Sequence, residues 1–410
     1  MNTVHESPAF SVIQAFSQYV ARQILTTAIL RWTVRSPDGG LRQGEGTAAP
    51  PVMRFANRTE NQTMTVYVAI LSSRKPNMLA LENASELVKE SVRPIIEVAA
   101  GDNDTEVKAV AKRVVEYVRK SNPDGSIDLA LDTAPLADGF GPEGAREALR
   151  LLTAGLGHYS FRPVVHADRA TGDDLSEIRQ VVTELQTGVC LRVGAPFVYT
   201  LRDPQLLLDQ LDEIGVSIQQ ADLVLDCGYL KEPSKTGDLV ATPLEHLLGR
   251  PWQSVTVAAG AFPPPEKFSP RTKPGTDRAP RREADLWRLL SSYRDRVGYG
   301  DYGVDHPGLI PGKDDWPAPN LRYTVQQEWK LYYWPKGIDR RNTPFFDLCK
   351  TLVRSSDWPR EGAGFSWGDE QIARAACKEG GPGGPTQWKA YSLSHHLAAI
   401  VKMLGGSSQP

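Results

Sequence analysis

Cysteine is scarce: the 410 residues hold four, Cys190, Cys227, Cys349 and Cys377, with no CxxC or CxxH spacing. That excludes a disulfide framework and a sequence-local zinc site, and makes a reducing cytoplasm the expected compartment. No apolar run reaches the roughly 18 residues of a membrane-spanning helix, so no membrane partner is expected. Charge of one sign is also missing, since 47 Lys and Arg face 49 Asp and Glu for a net charge of −2. Bulk attraction to nucleic acid or to an anionic bilayer is therefore excluded as the main activity, although a local basic patch is not. Neither GxGxxG nor GxxxxGKS/T follows the first apolar strand pattern, which argues against dinucleotide and P-loop sites. What remains is 40% apolar and 23% charged, the composition of a folded globular chain.

Residues 1–63 differ in character from the rest of the chain. Phe10 to Val34 has an apolar helical pattern interrupted by Gln14, Arg22 and Gln23. It lacks the basic start and small-residue cleavage site of a signal peptide. Residues 35–63 have the Gly, Pro, Thr, Asn and Arg content of a linker. Two readings stay open: translation starting at Met53 or Met64 behind an appendage, or a loosely docked N-terminal helix.

From Thr65 the apolar residues keep a regular beat. Runs rich in Val, Ile and Leu predict strands at Val66–Ser72, Arg93–Ala99, Ile127–Asp132, Phe161–Ala167, Val189–Gly194, Asp222–Cys227, Ser254–Gly260 and Val297–Asp301. Helix-period segments lie between them. Val107, Val110, Ala111, Val114 and Val118 form one apolar face, and Leu175, Ile178, Val182 and Leu185 another. Asp203-Pro204 opens a helix that Gly215 ends, and Thr242-Pro243 opens one that closes at Gly249. Strands alternating with helices require right-handed parallel crossovers. An open doubly wound sheet would satisfy that rule, but eight units fit an α/β fold of the (β/α)8 TIM-barrel type better. The expected organisation is an appendage over 1–63, the barrel over 64–304, an aromatic-rich helical extension packed on it over 305–404, and a tail over 405–410.

Strand alternation sorts side chains between the barrel interior and the helix layer. In Asp128–Asp132 the leucines suit the helix layer, which leaves Asp128, Ala130 and Asp132 inward; Asp222–Asp226 repeats the pattern. Cys190 and Arg192 turn in opposite Val189, Leu191 and Val193. Glu97 shares a face with Ile95, and His166 and Asp168 share one with Val164. The set expected at the C-terminal strand ends, where barrel enzymes place their chemistry, is Glu97, Asp132, His166, Asp168, Arg192, Asp226 and Asp301. Five acids against one interior arginine leave an excess of negative charge. Such an excess awaits a metal ion, a cationic ligand or a carboxyl that holds its proton. The bland alternative is an ion network, such as Glu97–Arg192–Asp226, that only satisfies the upper barrel.

Two features lie beyond the strands. Pro263–Arg282 carries Lys267, Arg271, Lys273, Arg278, Arg281 and Arg282, a basic loop that could hold phosphate or equally be a disordered excursion. Residues 305–404 hold Trp316, Trp329, Trp334, Trp358, Trp367 and Trp388, which favours a small core over a stacking surface. His395 and His396 start the helical stripe of Leu397, Ile400, Val401 and Leu404. They point about 100° apart, so one is expected to pack and the other to reach the mouth.

Several stretches in succession resemble the beta protein family of bacteria and prophages. They are Val66–Leu71, Arg93–Glu97, Asp222–Asp226, Gly260–Pro263, Tyr299–Tyr302, Arg322–Thr324, Phe365–Asp369, and Trp388 followed by His395-His396. The resemblance runs from about Thr65 to Leu404, so residues 1–63 depart from it. It implies a phage or mobile-element setting and marks Glu97, Asp226, Asp301, Arg322, Trp367, Asp369 and His395 as residues to test, but it carries no reaction with it. Asp369 could equally be a helix N-cap.

Three functions fit. The first is a hydrolase or lyase with Glu97 and Asp226 as the acid/base pair, Arg192 binding or orienting an anionic group, and Asp301 or His395 assisting. Asp132, His166, Asp168, Arg322, Trp367 and Asp369 would contact a sugar-like or phosphorylated small molecule. Magnesium or manganese would suit clustered carboxylates. The second is a non-catalytic module that binds a protein partner. The third is a metal-dependent nuclease, for which the continuous basic track is missing.

Overall fold

The computed structural model describes residues 66–101, 104–157, 159–264, 273–308, 318–335 and 342–406. The expected appendage, Lys267, Arg271, Trp316 and residues 407–410 lie outside the described residues. Among the described residues eleven strands succeed one another in chain order: β1 (Tyr67–Ser72), β2 (Val92–Glu97), β3 (Leu129–Asp132), β4 (Phe161–His166), β5 (Val189–Gly194), β6 (Ala221–Tyr229), β7 (Ser254–Gly260), β8 (Gly275–Pro280), β9 (Gly298–Asp301), β10 (Asn320–Val325) and β11 (Glu328–Tyr333). Strands β1 to β7 and β9 close into a parallel barrel, with β9 pairing back onto β1. The fold is a (β/α)8 barrel, and each of the eight predicted strands lies in it.

Alternation sets the two faces. Val68, Ile70, Ile95, Ala130, Val164, Cys190, Val224 and Ala258 fill the interior. The intervening residues, among them Tyr67, Ala69, Ile96, Leu131, Val165, Leu191, Leu223 and Leu225, meet the helices in the larger surrounding core. The valine face over 107–118 is buried in helix Val107–Ser121. Helix Gly172–Leu185 begins on a capping box in which the Thr171 and Asp174 side chains each serve the other's backbone N–H. Gly215 ends helix Gln205–Ile214 in the left-handed region.

Thr242-Pro243 does not open a helix. Pro243 is buried within helix Pro233–Leu247, which starts at Pro233 and extends the apolar face upstream through Gly237 and Val240.

The expected basic loop is also corrected. Residues 275–280 form β8, which pairs antiparallel with β11 as an edge of a sheet ordered β10-β11-β8. Arg278 pairs with Glu328 and Asp357, and Arg281 is buried. The chain leaves the barrel between β7 and β9 to complete a sheet of the C-terminal region, which places Arg278 in a strand and Arg281 just beyond its end. Helices Pro344–Val353 and Trp367–Ala376 pack with this sheet around Tyr323, Phe345, Leu348, Ile372 and Trp388. Of the described tryptophans of this region, Trp329 and Trp388 are fully buried, Trp334 and Trp358 pack partly buried against this core, and Trp367 is half-buried.

Helix Pro385–Gly406 closes the structure. It lies against helix Lys75–Glu82 and β10, and its Leu393, Leu397, Ile400 and Leu404 belong to the core around the barrel. A Cβ at Gly303 would stand 2.7 Å from Leu393 and 3.0 Å from Leu71, so this last helix covers the seam between β1 and the end of β9. Inside the barrel, Gly298 keeps β9 close to its neighbours: a Cβ there would come within 2.6 Å of Thr256 Oγ1 and 2.8 Å of the Val66 carbonyl. Gly298→Ala is expected to cost about 1–3 kcal/mol by overpacking, read as a lowered urea midpoint with an unchanged m-value.

Candidate active site

The C-terminal ends of the barrel strands bring charged residues into adjacent register. Glu97 pairs with Asp132 across β2 and β3, His166 with Arg192 across β4 and β5, and Gly194 with Asp226 across β5 and β6. Arg192 is the hub and is 5% exposed. Its Nη1 donates to Glu97 Oε1 at 2.9 Å and to Asp132 Oδ2 at 2.8 Å. Its Nε and Nη2 donate to Asp226 Oδ2 at 2.9 and 2.7 Å, and Nη2 also donates to the Tyr302 hydroxyl at 2.9 Å. The five N–H groups of the guanidinium are thereby all used. The Tyr302 hydroxyl in turn donates to Asp226 Oδ2 at 2.6 Å, and the Gly228 N–H donates to Asp226 Oδ1 at 2.9 Å.

The carboxylates differ in surroundings. Asp132 is fully buried, yet His166 at 2.8 Å and Arg192 outweigh the cost of burial and hold its carboxyl well below the usual range. Burial raises the pKa of Glu97, reinforced by the charges of Asp132 and Asp226 and opposed by Arg192. Glu97 is also the most open of these carboxylates, its side chain 26% exposed against 0% for Asp132 and 7% for Asp226. Burial and the Asp226 charge push the Tyr302 hydroxyl well up, so it stays a neutral donor.

His166 completes the mouth. Its Nε2 faces Asp132, and Arg169 Nη2 lies 3.0 Å from its Nδ1. Asp168 stands exposed just past β4, beside Gly194. Arg322 lies farther out, donating to the Val304 carbonyl and Asp305 Oδ1 while its guanidinium covers the Phe262 ring.

Asp301 and His395 are not part of this mouth. Asp301 shares a strand face with Val297 and Tyr299, so the two-residue period turns it outward, and Tyr302 takes the inward place. Asp301 accepts from the Tyr67 and Tyr299 hydroxyls and pairs with His396 Nε2 at 2.9 Å. Burial lowers the pKa of His396, whose Nδ1 lies 2.8 Å from the Thr324 hydroxyl. His395 instead bridges Asp369 and the Thr324 carbonyl, stacked on Tyr323. Neither histidine reaches the mouth; together they clamp Thr324 of β10 from the C-terminal helix.

Asp369 is buried at this joint, and the N-cap of helix Trp367–Ala376 is Ser366 rather than Asp369. Trp367 packs edge-on against Tyr391. Burial and Asp301 push the nearby Glu283 carboxyl up to about 7 despite its 2.9 Å pair with Arg281.

The barrel interior also holds a second charged layer. Arg93 and Arg162 point inward at the barrel floor, where they pair with Asp128 and Asp222. At the mouth the Arg192 guanidinium lies among the carboxylates of Glu97, Asp132 and Asp226. Among the described residues no group of three or more His, Cys, Asp or Glu is arranged to hold a metal ion. Sequence reasoning missed Tyr302 and Arg169. The alternation through Gly298 and Gly300 marks Tyr302, whereas Arg169 sits in a turn that no periodicity reaches.

Arg192→Met is expected to cost about 3–5 kcal/mol at pH 7, because it leaves three carboxylates without their counter-charge. The deficit should shrink as pH falls through the carboxylate range and those groups take up protons. Urea unfolding at pH 7 and pH 4 measures both.

Among the described residues no helix is long and apolar enough to cross a membrane. Two solved structures are similar to part of this chain. A dihydropteroate synthase from Stenotrophomonas maltophilia, with imidazole bound in its active site, is 13% identical over 59% of this chain and 88% of its own, with a TM-score of 0.37. A protein described as a deoxyribose-phosphate aldolase from Toxoplasma gondii is 11% identical over 58% of this chain and 89% of its own, with a TM-score of 0.22. Both are too distant to bear on chemistry, and no curated protein matches the chain. The family model described as Beta protein matches residues 67–402, through every barrel strand and into the last helix. The chain belongs to the beta protein family.

Proposed function

We propose that the barrel mouth is an acid/base active site for a small sugar-like or phosphorylated molecule, in the manner of a hydrolase or lyase. The observation that carries this reading is the contrast among three carboxylates on one guanidinium. Glu97 is partly open to solvent with its pKa raised, while Asp132 and Asp226 are buried and tied down. Groups whose environments drive their protonation apart take complementary roles. Glu97 is the group that exchanges a proton with substrate. Arg192 holds it in place, the Asp132 charge keeps its pKa up, and Asp226 with Tyr302 fixes Arg192. Asp226 thus orients the centre rather than reacting, since both of its oxygens already accept from the protein.

A second reading, a non-catalytic module that binds a protein partner, draws on one observation: the Arg192 network is complete without a ligand. The two readings part on substitution. Purified protein is incubated with a cell extract, with and without magnesium and manganese, and metabolites are profiled. A small molecule consumed by the wild type should be consumed about 10²–10⁴-fold more slowly by Glu97→Gln. Asp226→Asn should lose a smaller factor by loosening Arg192. No metabolite changed by any of the three proteins contradicts the enzyme reading and favours the binding module.

A further inference from the structure

Arg169 is the unclaimed charge at the mouth. It follows β4 in a tight turn closed by its own N–H on the His166 carbonyl at 3.0 Å, and its side chain bends back over the imidazole of His166. Arg192 meets three carboxylates; Arg169 is exposed, and among the described residues no carboxylate lies within ion-pair distance of it. Its Nη2 instead rests 3.0 Å from His166 Nδ1.

Donor accounting fixes what that contact is. A guanidinium only donates, so Nδ1 of His166 must be the acceptor and carries no proton. The imidazole is therefore the neutral form with its hydrogen on Nε2, which donates to Asp132 at 2.8 Å. Asp132 is fully buried and receives an Arg192 N–H on the same oxygen, so the ring is held in one orientation and one tautomer. A lone pair on a neutral ring is a weak partner for an arginine. A planar guanidinium gains more from two oxygens of an oxyanion, which it binds bidentately.

We infer that Arg169 is the hook for an oxyanion on the substrate, a phosphate or carboxylate group, and that engaging it uncovers His166 Nδ1 as a proton acceptor beside Glu97. This rests on the acid/base reading of the mouth and adds to it the charge of the substrate and a second proton-handling group. When Arg169 swings to the anion, Nδ1 is left facing the mouth. There it can take a proton from a substrate hydroxyl, whose electron pair stays on the oxygen, while Asp132 steadies the imidazolium that results. The resting contact has the opposite effect: with the guanidinium in place, Nδ1 has no room for a proton, so the base is exposed only when an anionic ligand is bound.

Binding of plain anions tests the hook without any need for the substrate. Inorganic phosphate and malonate are titrated into the full chain, and the imidazole nitrogen resonances are followed by long-range ¹H–¹⁵N correlation. His166 is assigned by its loss in His166→Gln. The wild type should show the Nε2–H form at rest, and one or both anions should shift His166 Nδ1 in a saturable way. Preference for phosphate or for malonate identifies the anionic group. Arg169→Gln, an exposed change that leaves the barrel intact, should weaken that binding at least tenfold. It should also place the Nδ1 resonance near its anion-bound position before any anion is added. Equal affinity in Arg169→Gln and wild type, or no shift of His166 with either anion, overturns the inference. Because no turnover is measured, a failed hook and an inactive Glu97 are told apart: the first leaves metabolite consumption by the wild type intact, and the second leaves anion binding intact.

Discussion

One guanidinium inside a barrel governs the centre of this protein. Burying a charge costs several kcal/mol unless it is paired and its hydrogen bonds are met, and Arg192 is 5% exposed. The barrel meets that cost with residues from separate strands: Glu97 on β2, Asp132 on β3, Asp226 on β6 and Tyr302 just beyond β9. Strands that must each deliver one side chain to the same guanidinium have no freedom to slip by a residue, because a slip turns the delivered group to the other face. The network therefore fixes the register of the upper barrel as well as the protonation of the mouth. Its lopsided charge gives Glu97 its character, since one guanidinium cannot fully offset three carboxylates.

A second buried polar centre joins the C-terminal region to the barrel. Thr324 of β10 is held through its carbonyl by His395 and through its hydroxyl by His396, and those rings reach Asp369 and Asp301 respectively. His395 spans the joint, with Nδ1 2.9 Å from the Asp369 carboxyl and Nε2 2.9 Å from the Thr324 carbonyl. His396 meets the Thr324 hydroxyl and Asp301 and stacks on Trp329, and burial lowers its pKa. Adjacent histidines about 100° apart on one helix suit such a joint, because each reaches a different element and neither can share a ligand with the other. The arrangement ties β9, β10 and the last two helices into one unit, which explains the short polar stretches in an otherwise apolar seam.

How much of this was legible in the sequence depends on the range of each signal. Period-two alternation is local and strong, so the strands, the barrel and the inward set of Glu97, Asp132, His166, Arg192 and Asp226 can be read directly. The same rule, applied at the short run ending in Asp301, places that residue with Val297 and Tyr299 on the outer face. Arg93 and Arg162 are open to the same reading, but they pair with Asp128 and Asp222 at the barrel floor and leave the excess of negative charge around Arg192 in place. The basic segment before Arg282 reads as a loop because its antiparallel partner β11 lies some fifty residues away, and no local pattern shows such a pairing. The motifs shared with the beta protein family mislead in a similar way. Arg322–Thr324, Phe365–Asp369 and His395-His396 are close in space, but what they build is the joint rather than the mouth.

The central claim is that the mouth carboxylates are electrostatically coupled through Arg192, with Glu97 as the one poised to exchange a proton. The most direct test is the titration of the Glu97 side chain by ¹³C NMR in the wild type and in Asp132→Asn, with Glu97→Gln to assign the resonance. Glu97 should titrate above the ordinary glutamate range of about 4.3 in the wild type and move down when the neighbouring negative charge is removed. An ordinary titration in the wild type, or one that Asp132→Asn leaves unchanged, would contradict the account.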